Sequence, residues 1–378
     1  MPLKIALLTY ATKPRGSVIH TLELATALTH LGHQVCIYAL EKHPDQPGFE
    51  RPLPCTVHLI SARPAPADID DLIRQRIGEF TAALQPRLGQ YDIYHAQDCI
   101  GANALAQIEA APVVRTVHHI EAFQSPYLQQ CQDRSIRHPH RCLVVSDRWR
   151  QALRADYGIE AVRVVNGVDQ RRFSPQLSGE EPQLRQRYGL KGPVFLTVGG
   201  IEPRKNSLRL LQAFAQVWQH YPTAQLVIVG GATLFDYQSY REQFFAQVEK
   251  LGIRDALVLP GVVPDAELPA LYRCADAFVF PSVKEGWGLV VMEAIASGLP
   301  VVTANQAPFT EFLTPQQACL VDPQGVRAIA AAMERVLEPA IAADLLRHRQ
   351  AILERYTWER SAQQHVQAYQ SLGAAVPR

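Results

Sequence analysis

Short runs of β-branched and apolar residues alternate with amphipathic stretches along almost the whole chain. The first run, residues 4–9, precedes a stretch over 18–31 whose apolar residues recur every three or four positions. Strands buried on both faces of a parallel sheet give such runs, and the helices between them give the longer spacing. The sequence therefore predicts an α/β protein with parallel strands at 4–9, 35–40, 93–95, 113–117, 143–145, 162–165, 194–198, 226–229, 257–259, 278–280 and 301–303.

The alternation is interrupted by a charged, turn-rich stretch over residues 166–192 and then resumes. A chain of 378 residues has room for two domains, at about 100–200 residues each. We therefore expect two α/β units joined by this linker. A ligand would bind in a cleft between them, at the carboxyl ends of the strands.

Composition excludes several classes of protein. Hydrophobic residues make up 47% of the chain and charged residues 19%, a balance that supports large cores and excludes a disordered chain. The net charge of +1 lacks the basic excess of a dedicated nucleic-acid binder, so no nucleic-acid partner is expected. Seven scattered cysteines without C-x-x-C spacing fit a reducing compartment. Without an apolar run near the ~18 residues of a membrane span or a signal-peptide core, the expected location is the cytoplasm.

The segment 281–302 carries the strongest indication of a ligand site. An apolar strand ends there, a loop with Gly286 and Gly288 follows, and a helix begins near Leu289. The glycines allow a ligand to approach the backbone closely. The free N–H groups and the dipole at the start of a helix bind anions such as phosphate.

Two glutamates flank this anion site, Glu285 just before it and Glu293 on the second turn of the helix. One carboxylate can reach past a bound phosphate, while the other binds hydroxyl groups further back. From the residues alone, an ordinary strand–turn–helix with solvated glutamates remains the alternative.

Together with the rest of the chain, this segment resembles the signature of the family 4 retaining glycosyltransferases, which have the GT-B fold. The resemblance begins with the spacing Glu285-x7-Glu293, with Gly-x-Gly inside it. Other stretches similar to that family follow the same order along the chain: Gly16…His20-x-x-Glu23, Gly32-His33-x-Val35, Thr116-x-His118, Val165-Asn-Gly-Val-Asp169…Phe173-x-Pro175, Glu202-Pro-Arg-Lys205 and Tyr356-x-Trp358.

The resemblance implies an α/β GT-B architecture, two Rossmann-like domains whose parallel sheets face a central cleft. An N-terminal domain over 1–173 would bind the acceptor, and a C-terminal domain over 174–356 would bind the nucleotide-sugar donor. The C-terminal helix within 357–378 would pack back on the first domain. The implied reaction moves a hexose from a nucleoside diphosphate sugar to an acceptor with retention of anomeric configuration. A UDP-sugar is favoured over a GDP-sugar.

The resemblance also assigns roles to individual side chains. Glu293 would bind the ribose hydroxyls of the nucleotide, and Glu285 the hydroxyls of the donor sugar. Lys205 and Arg204 would neutralise the departing diphosphate. Because the two are neighbours on a tight turn, we expect Arg204 to point away from the site and Lys205 to contribute most of the stabilisation. His118 would reach the donor sugar near its reacting face. Phosphate would be bound through the backbone of Gly16, Gly286, Gly288, Leu289 and Val290.

This set of residues implies catalysis without a metal or a cofactor, because preorganised cations and a helix dipole can stabilise the leaving group. Asp68, Asp70 and Asp71 match a D-x-D metal motif, but a charge cluster at a helix N-terminus explains them better. The paired histidines at 118–119 and at 138 and 140 lack companions at metal-ligand spacing. No metal site is therefore expected.

Two departures from the family pattern concern the donor side. The strand before the lysine turn ends in Gly199-Gly200, where related enzymes usually have Gly-Arg. The stretch 305–311 lacks the Gly-Gly pair that often precedes the glutamate at its end. Both departures lie where the phosphate and the sugar of the donor would bind.

Three questions remain open from the sequence. A nucleotide-sugar epimerase of the same fold and a non-catalytic nucleotide-binding relative are the alternatives to a transferase. The acceptor could be a small molecule, a glycan or a lipid. A basic run over 134–150 leaves peripheral contact with anionic lipid open, although isolated charges on a helix face are commoner. No nucleophilic carboxylate stands out in the first domain, which favours front-face attack by the acceptor over a covalent intermediate.

Overall fold

The apolar runs form the strands of two parallel sheets, each in its own unit of the chain. The structure is a computed structural model that describes residues 1–42, 48–231 and 237–373. One unit comprises Met1–Gly167 and Tyr356–Arg378, and the other comprises Val168–Arg355.

The sheet of the first unit has seven strands within the described residues, and its inner strands are buried on both faces. The strands are β1 (Lys4–Thr9), β2 (Gln34–Glu41), β3 (Thr56–Ser61), β4 (Ile93–Ala96), β5 (Val113–Val117), β6 (Arg141–Val144) and β7 (Val162–Arg163). Their spatial order is β3-β2-β1-β4-β5-β6-β7, with every pair parallel. The order reverses direction between β1 and β4, so a crevice opens beyond the carboxyl ends of those two strands.

Three of the five α-helices described within Met1–Gly167 of the first unit begin after a residue whose side chain caps them. The five are α1 (Gly16–His30), α2 (Ile69–Leu84), α3 (Cys99–Gln107), α4 (Pro126–Arg137) and α5 (Asp147–Tyr157). Asp68, Asp98 and Ser125 each accept a hydrogen bond from a backbone N–H of the first turn that follows, which satisfies a donor that the helix itself leaves unpaired.

The second unit repeats this layout with a six-stranded sheet in its described part. Its strands are β8 (Val194–Val198), β9 (Gln225–Val229), β10 (Leu257–Gly261), β11 (Ala277–Phe280), β12 (Val301–Ala304) and β13 (Cys319–Val321). The parallel order is β10-β9-β8-β11-β12-β13. Here the reversal lies between β8 and β11, which places the loops after those strands beside the expected ligand crevice.

Eight helices cover this second sheet in the residues that the structure describes. They are α6 (Glu181–Arg187), α7 (Ser207–His220), α8 (Gln238–Leu251), α9 (Leu268–Arg273), α10 (Leu289–Ala296), α11 (Val326–Arg335), α12 (Pro339–Arg347) and α13 (Arg349–Arg355). The central strands β11 and β12 are buried at every residue, as expected for strands covered by helices on both faces.

The last helix, α14 (Trp358–Gly373), belongs to the first unit and packs against α1. Its inner face brings Trp358 within 5.5 Å of the His20 ring, and Gln364 accepts a hydrogen bond from the backbone of Val165. Residues 374–378, the end of the predicted tail 357–378, lie outside the described residues. No helix in the described ranges is long and apolar enough to span a bilayer.

The predicted α/β architecture with parallel sheets is confirmed, and all eleven predicted strands are present. The sequence analysis missed β3 and β13, each at one edge of its sheet. Every residue of β3 is partly buried or exposed, and β13 has only three residues. Because an edge strand needs no continuous apolar run, neither was visible in the pattern.

Candidate functional site

Glu285 lies in the loop that joins β11 to α10, where two cations meet one of its oxygens. Lys205 Nζ is 2.7 Å and Arg204 Nη1 is 3.2 Å from Glu285 Oε1, and Ser282 Oγ lies 2.8 Å from the same atom. The carboxylate is buried. Burial alone would raise the pKa of Glu285, but the charges of Lys205 and Arg204 outweigh it and hold that pKa below its usual value.

The lysine reaches this position from a short helical turn after β8, Pro203–Lys205. Asn206, in the left-handed conformation at φ 62°, donates hydrogen bonds to the carbonyls of Pro281 and Pro323. These bonds tie the lysine turn to the loop after β11. Burial of Lys205 lowers its amine pKa, and Glu285 opposes that effect by favouring the charged form.

The Gly199–Gly200 pair fits this arrangement sterically. A Cβ on Gly199 would come within 2.6 Å of Cε of Lys205, so the lysine stem lies where any other side chain would begin. Gly200 has φ +77°, and a Cβ there would lie 2.9 Å from the carbonyl of Gly231. An arginine at position 200 would be strained in this backbone, which accounts physically for its absence.

Arg204 does not point away from the site, and that expectation was wrong. Its Nε bonds Oε2 of the buried Glu202 at 2.7 Å, while Nη1 reaches Glu285. Glu202 therefore holds the guanidinium beside Lys205. The Arg204 side chain retains 36% of its exposure against 10% for Lys205, so its charge is better screened by water.

Gly288 is the residue from which α10 starts. Its φ of +106° and a Cβ position 2.7 Å from the Phe309 ring exclude other residues without strain. Leu289 and Val290 are the first two residues of the helix, and backbone N–H groups at that place have no acceptor within their own helix. Gly286 lies in the loop before them, and no acidic residue occupies the first turn of the helix. Chemically, this helix start suits an anion.

Glu293 lies on the second turn of α10 and is buried. Tyr272 of α9 donates a hydrogen bond from its hydroxyl to Glu293 Oε2 at 2.9 Å. The sequence analysis missed Tyr272, because its contact with Glu293 spans 21 positions and two helices. The bond orients the carboxylate and leaves it able to accept further hydrogen bonds from a ligand.

Two predicted site residues, Gly16 and His118, belong to the first unit. Gly16 begins α1, and a Cβ there would meet nothing within 4 Å, so packing inside this unit does not require a glycine. His118 follows the end of β5, and its Nε2 lies 3.0 Å from Oε1 of Gln97. Burial, followed by the charges of His20 and Arg115, lowers the pKa of His118 well below its usual value. The ring is neutral at physiological pH.

The aspartates of the D-x-D match all have protein partners. Asp68 caps α2 by accepting the N–H of Asp71, Asp71 pairs with Arg74 at 2.8 Å, and Asp70 accepts from the hydroxyl of Ser125. Within the described ranges, no three His, Cys, Asp or Glu side chains are grouped to hold a metal ion. Metal independence itself stays a prediction.

Two family models match the chain, one in each unit. Residues 15–167 match the glycosyl transferase 4-like domain, and residues 180–351 match the glycosyl transferases group 1 family. The D-inositol 3-phosphate glycosyltransferase of Acidothermus cellulolyticus is 27% identical, over 96% of this chain and 89% of that protein.

Solved structures show the same fold. The sucrose-phosphate synthase of Thermosynechococcus elongatus has a TM-score of 0.80 at 23% identity, over 99% of this chain and 100% of that one. HepE of Anabaena, solved in complex with UDP-glucose, has a TM-score of 0.79 at 21% identity, over 98% and 100% of the two chains.

Proposed function

Because this chain belongs to the family 4 glycosyltransferases of GT-B fold, we propose that it transfers a hexose from a nucleoside diphosphate sugar with retention of configuration and without a metal. That it is a glycosyltransferase follows from its relatives. The donor, the stereochemistry and the metal independence are the steps that we add. The second unit would bind the donor and the first unit the acceptor.

The convergence of Lys205 and Arg204 on Glu285 carries this proposal. Breaking the bond between the sugar and the diphosphate leaves negative charge on the leaving group, which fixed cations stabilise without reorganisation. Lys205 and Arg204 lie at the strand-order reversal of the second sheet, beside the anion-binding start of α10. The same residues can therefore bind the diphosphate in the ground state and stabilise its charge as it departs.

In this proposal, the two glutamates bind different parts of the donor. Glu293 binds the ribose hydroxyls, held in place by Tyr272. Glu285 faces the sugar, and the two cations keep it ionised as a hydrogen-bond acceptor. His118 of the first unit, neutral and with one ring nitrogen already bonded to Gln97, contacts the donor sugar near its reacting carbon. The acceptor attacks from the front face, on which the diphosphate leaves.

The proposed hydrogen bonds of Glu293 to the ribose do not distinguish one base from another. Both UDP-sugars and GDP-sugars are therefore donors to test, and UDP-sugars come first. We place the protein in the cytoplasm, because all seven of its cysteines are free thiols and reduced cysteines are usual there. The acceptor is a small molecule, a glycan or a lipid.

A panel of nucleotide sugars, with and without cell extract as a source of acceptors, tests the activity. Release of nucleoside diphosphate that depends on the acceptor is the expected result. Formation of a second nucleotide sugar without acceptor would mean epimerisation instead. Nucleotide binding with no turnover under either condition would mean a non-catalytic relative.

A further inference from the structure

A chain of hydrogen bonds runs from His118 into the core of the first unit and ends on α14. Gln97 Oε1 lies 3.0 Å from His118 Nε2, and the amide nitrogen of the same Gln97 lies 3.3 Å from His95 Nε2. Thr116 Oγ1 lies 2.8 Å from the same nitrogen of His95, and Nδ1 of His95 lies 2.7 Å from the hydroxyl of Tyr369. The chain thus links the ends of β4 and β5 to the C-terminal helix.

The members behind His118 are almost completely withdrawn from water. His95 and Thr116 have no exposed surface, Gln97 retains 1% and Tyr369 retains 2%. Buried polar side chains destabilise a fold unless they are hydrogen-bonded, and apolar residues would fill the same space at no such cost. A buried polar chain that ends at a candidate functional histidine is therefore best explained by what it does to that histidine.

The chain determines which nitrogen of His118 carries the proton. With the amide of Gln97 oriented so that its carbonyl faces His118, that carbonyl can only accept, so His118 donates from Nε2–H. A neutral imidazole with a proton on Nε2 has its lone pair on Nδ1. The amide N–H₂ of Gln97 and the hydroxyl of Thr116 both donate to His95 Nε2 in this arrangement, and His95 Nδ1–H then donates to Tyr369.

We propose that Gln97 is a positioning residue, held by His95 and Tyr369, that fixes His118 as the Nε2–H tautomer with Nδ1 as its acceptor. Nδ1 is then able to accept a hydrogen bond from a hydroxyl group of the substrate. This part rests on the proposed function, in which His118 contacts the donor sugar. Through Tyr369, the C-terminal helix then contributes to the chemistry as well as to the packing.

The charged and titratable groups around this chain of hydrogen bonds lie on α1, on α14, on β5 and in the loop that follows β5. His20 of α1 lies 4.8 Å from the His118 ring, and His365 of α14 lies 5.7 Å from the His95 ring. Arg115 of β5 is buried beside both strand ends, and His119 follows His118 directly. Burial, followed by the nearby His20, Arg115, His119 and His95, lowers the pKa of His118. The ring therefore carries a single proton, and the position of that proton matters.

Nuclear magnetic resonance of the full chain with ¹⁵N-labelled histidine tests the tautomer directly. Long-range ¹H–¹⁵N correlation should show one His118 form, protonated at Nε2 and unprotonated at Nδ1. The signal is assigned by its loss in His118→Gln. A Nδ1–H tautomer, or averaged shifts from both tautomers, would overturn the proposal without any variant.

Variants then identify which residues fix the tautomer. Gln97→Leu should move the His118 nitrogen shifts towards averaged values, and the milder Tyr369→Phe should move them in the same direction. Tyr94→Phe is the matched control, since the hydroxyl of Tyr94 bonds Arg87 and Gly89 on the same unit, away from the chain. Unchanged His118 shifts in both Gln97→Leu and Tyr369→Phe would also overturn the proposal.

Activity separates this inference from the proposed function. Gln97→Leu should lower kcat about 10-fold or more, the scale seen when a group that orients a functional histidine is removed, with UDP affinity unchanged. A change of tautomer with normal kcat would support the positioning by Gln97 and contradict the contact of His118 with substrate. No turnover in the wild-type chain with any donor would contradict the proposed function and leave the tautomer experiment decisive.

Discussion

Glu285 and Glu293 belong to the same loop and helix, yet their partners differ, and so should their effects on the donor. Glu293→Ala should weaken UDP binding by about 1.5–3 kcal/mol, the scale of a hydrogen bond to a charged group. Tyr272→Phe, which removes only the hydroxyl that holds Glu293, should cost less, about 0.5–1.5 kcal/mol.

Glu285→Ala should lower turnover, because the proposed contact with the donor sugar is lost. UDP affinity should be kept or raised, because Lys205 and Arg204 lose their carboxylate partner and become more available to the diphosphate. Titration calorimetry with UDP and steady-state kinetics measure the two effects. Equal losses of UDP affinity in Glu285→Ala and Glu293→Ala would contradict the division of roles.

The two cations beside Glu285 should contribute unequally. Lys205→Ala should cut turnover by about 10²–10³, comparable to the loss of one preorganised donor to a developing negative charge. Arg204→Ala should cost less, because Arg204 is more exposed and therefore better screened. Lys191→Ala, at an exposed lysine of the same unit, is the control and should leave turnover unchanged.

Thermal unfolding of each variant shows whether its fold is kept, since Lys205→Ala leaves a buried carboxylate with one partner fewer. A folded Lys205→Ala enzyme with near-normal turnover would mean that the diphosphate binds elsewhere.

At the residue scale, the sequence predicted the side chains that carry charge but not those that hold them. Glu285, Lys205 and Arg204 do meet as one cluster. Glu202, Asn206 and Tyr272 became visible only in the structure. The contacts of Asn206 with Pro281 and of Tyr272 with Glu293 join residues 75 and 21 positions apart, and no local pattern of residues encodes such a distance. The contact of Glu202 with Arg204 depends on the local course of one turn.

At the scale of elements, the packing of α14 on α1 places two buried histidines next to each other. The rings of His20 and His365 are 5.6 Å apart and have no exposed surface. Burial lowers the pKa of His365 to about 4, and burial together with the charge of His365 lowers the pKa of His20 to about 3. Nδ1–H of His365 donates to the carbonyl of Ser361, so the neutral ring already makes this hydrogen bond and needs no second proton for it.

Acid should therefore destabilise the first unit. The unfolded chain takes up protons on these rings as the pH falls below about 6.5, whereas the folded chain does not until about pH 4 and below. The contribution of these two histidines to the free energy of unfolding should be constant above pH 6.5. It should fall between pH 6.5 and pH 4, by on the order of 3 kcal/mol for His365.

Denaturant unfolding at pH 7.5, 6 and 5 measures this dependence. His365→Leu should flatten the loss of stability between pH 6.5 and 4. His30→Gln, at the exposed end of α1, keeps both buried rings and serves as the control. A slope in His365→Leu as steep as that of the wild type would contradict the assignment to this helix contact.

The elements themselves were largely predictable, because burial on both faces leaves a strong apolar signal in strands such as β5 and β11. The exposed edges of the sheets were not. Within each unit, the parallel order of the strands brings distant loops to one edge of the sheet, those after β4 and β5 in the first unit and those after β8 and β11 in the second.

At the scale of the whole molecule, the sheet of each unit reverses its strand order once, between β1 and β4 and between β8 and β11, and the candidate site residues lie on loops near these reversals. This layout follows from two α/β repeats, and it was predictable from the alternation in the sequence. The acceptor was not, since one fold serves many substrates through side chains at the strand ends.

In the proposed mechanism the positive charge for the diphosphate comes from the protein, so turnover should survive removal of divalent metal. Lys205 and Arg204 supply two cations beside the start of α10, and the D-x-D aspartates already serve as a helix cap, an ion pair and a hydroxyl acceptor. Turnover with a UDP-sugar and cell extract, measured before and after EDTA, should show no large loss. Asp70→Asn/Asp71→Asn, which weakens any metal site there, should behave like the wild type. Loss of turnover in EDTA that manganese restores, together with an inactive but folded aspartate variant, would place the metal at that cluster and contradict the cationic mechanism.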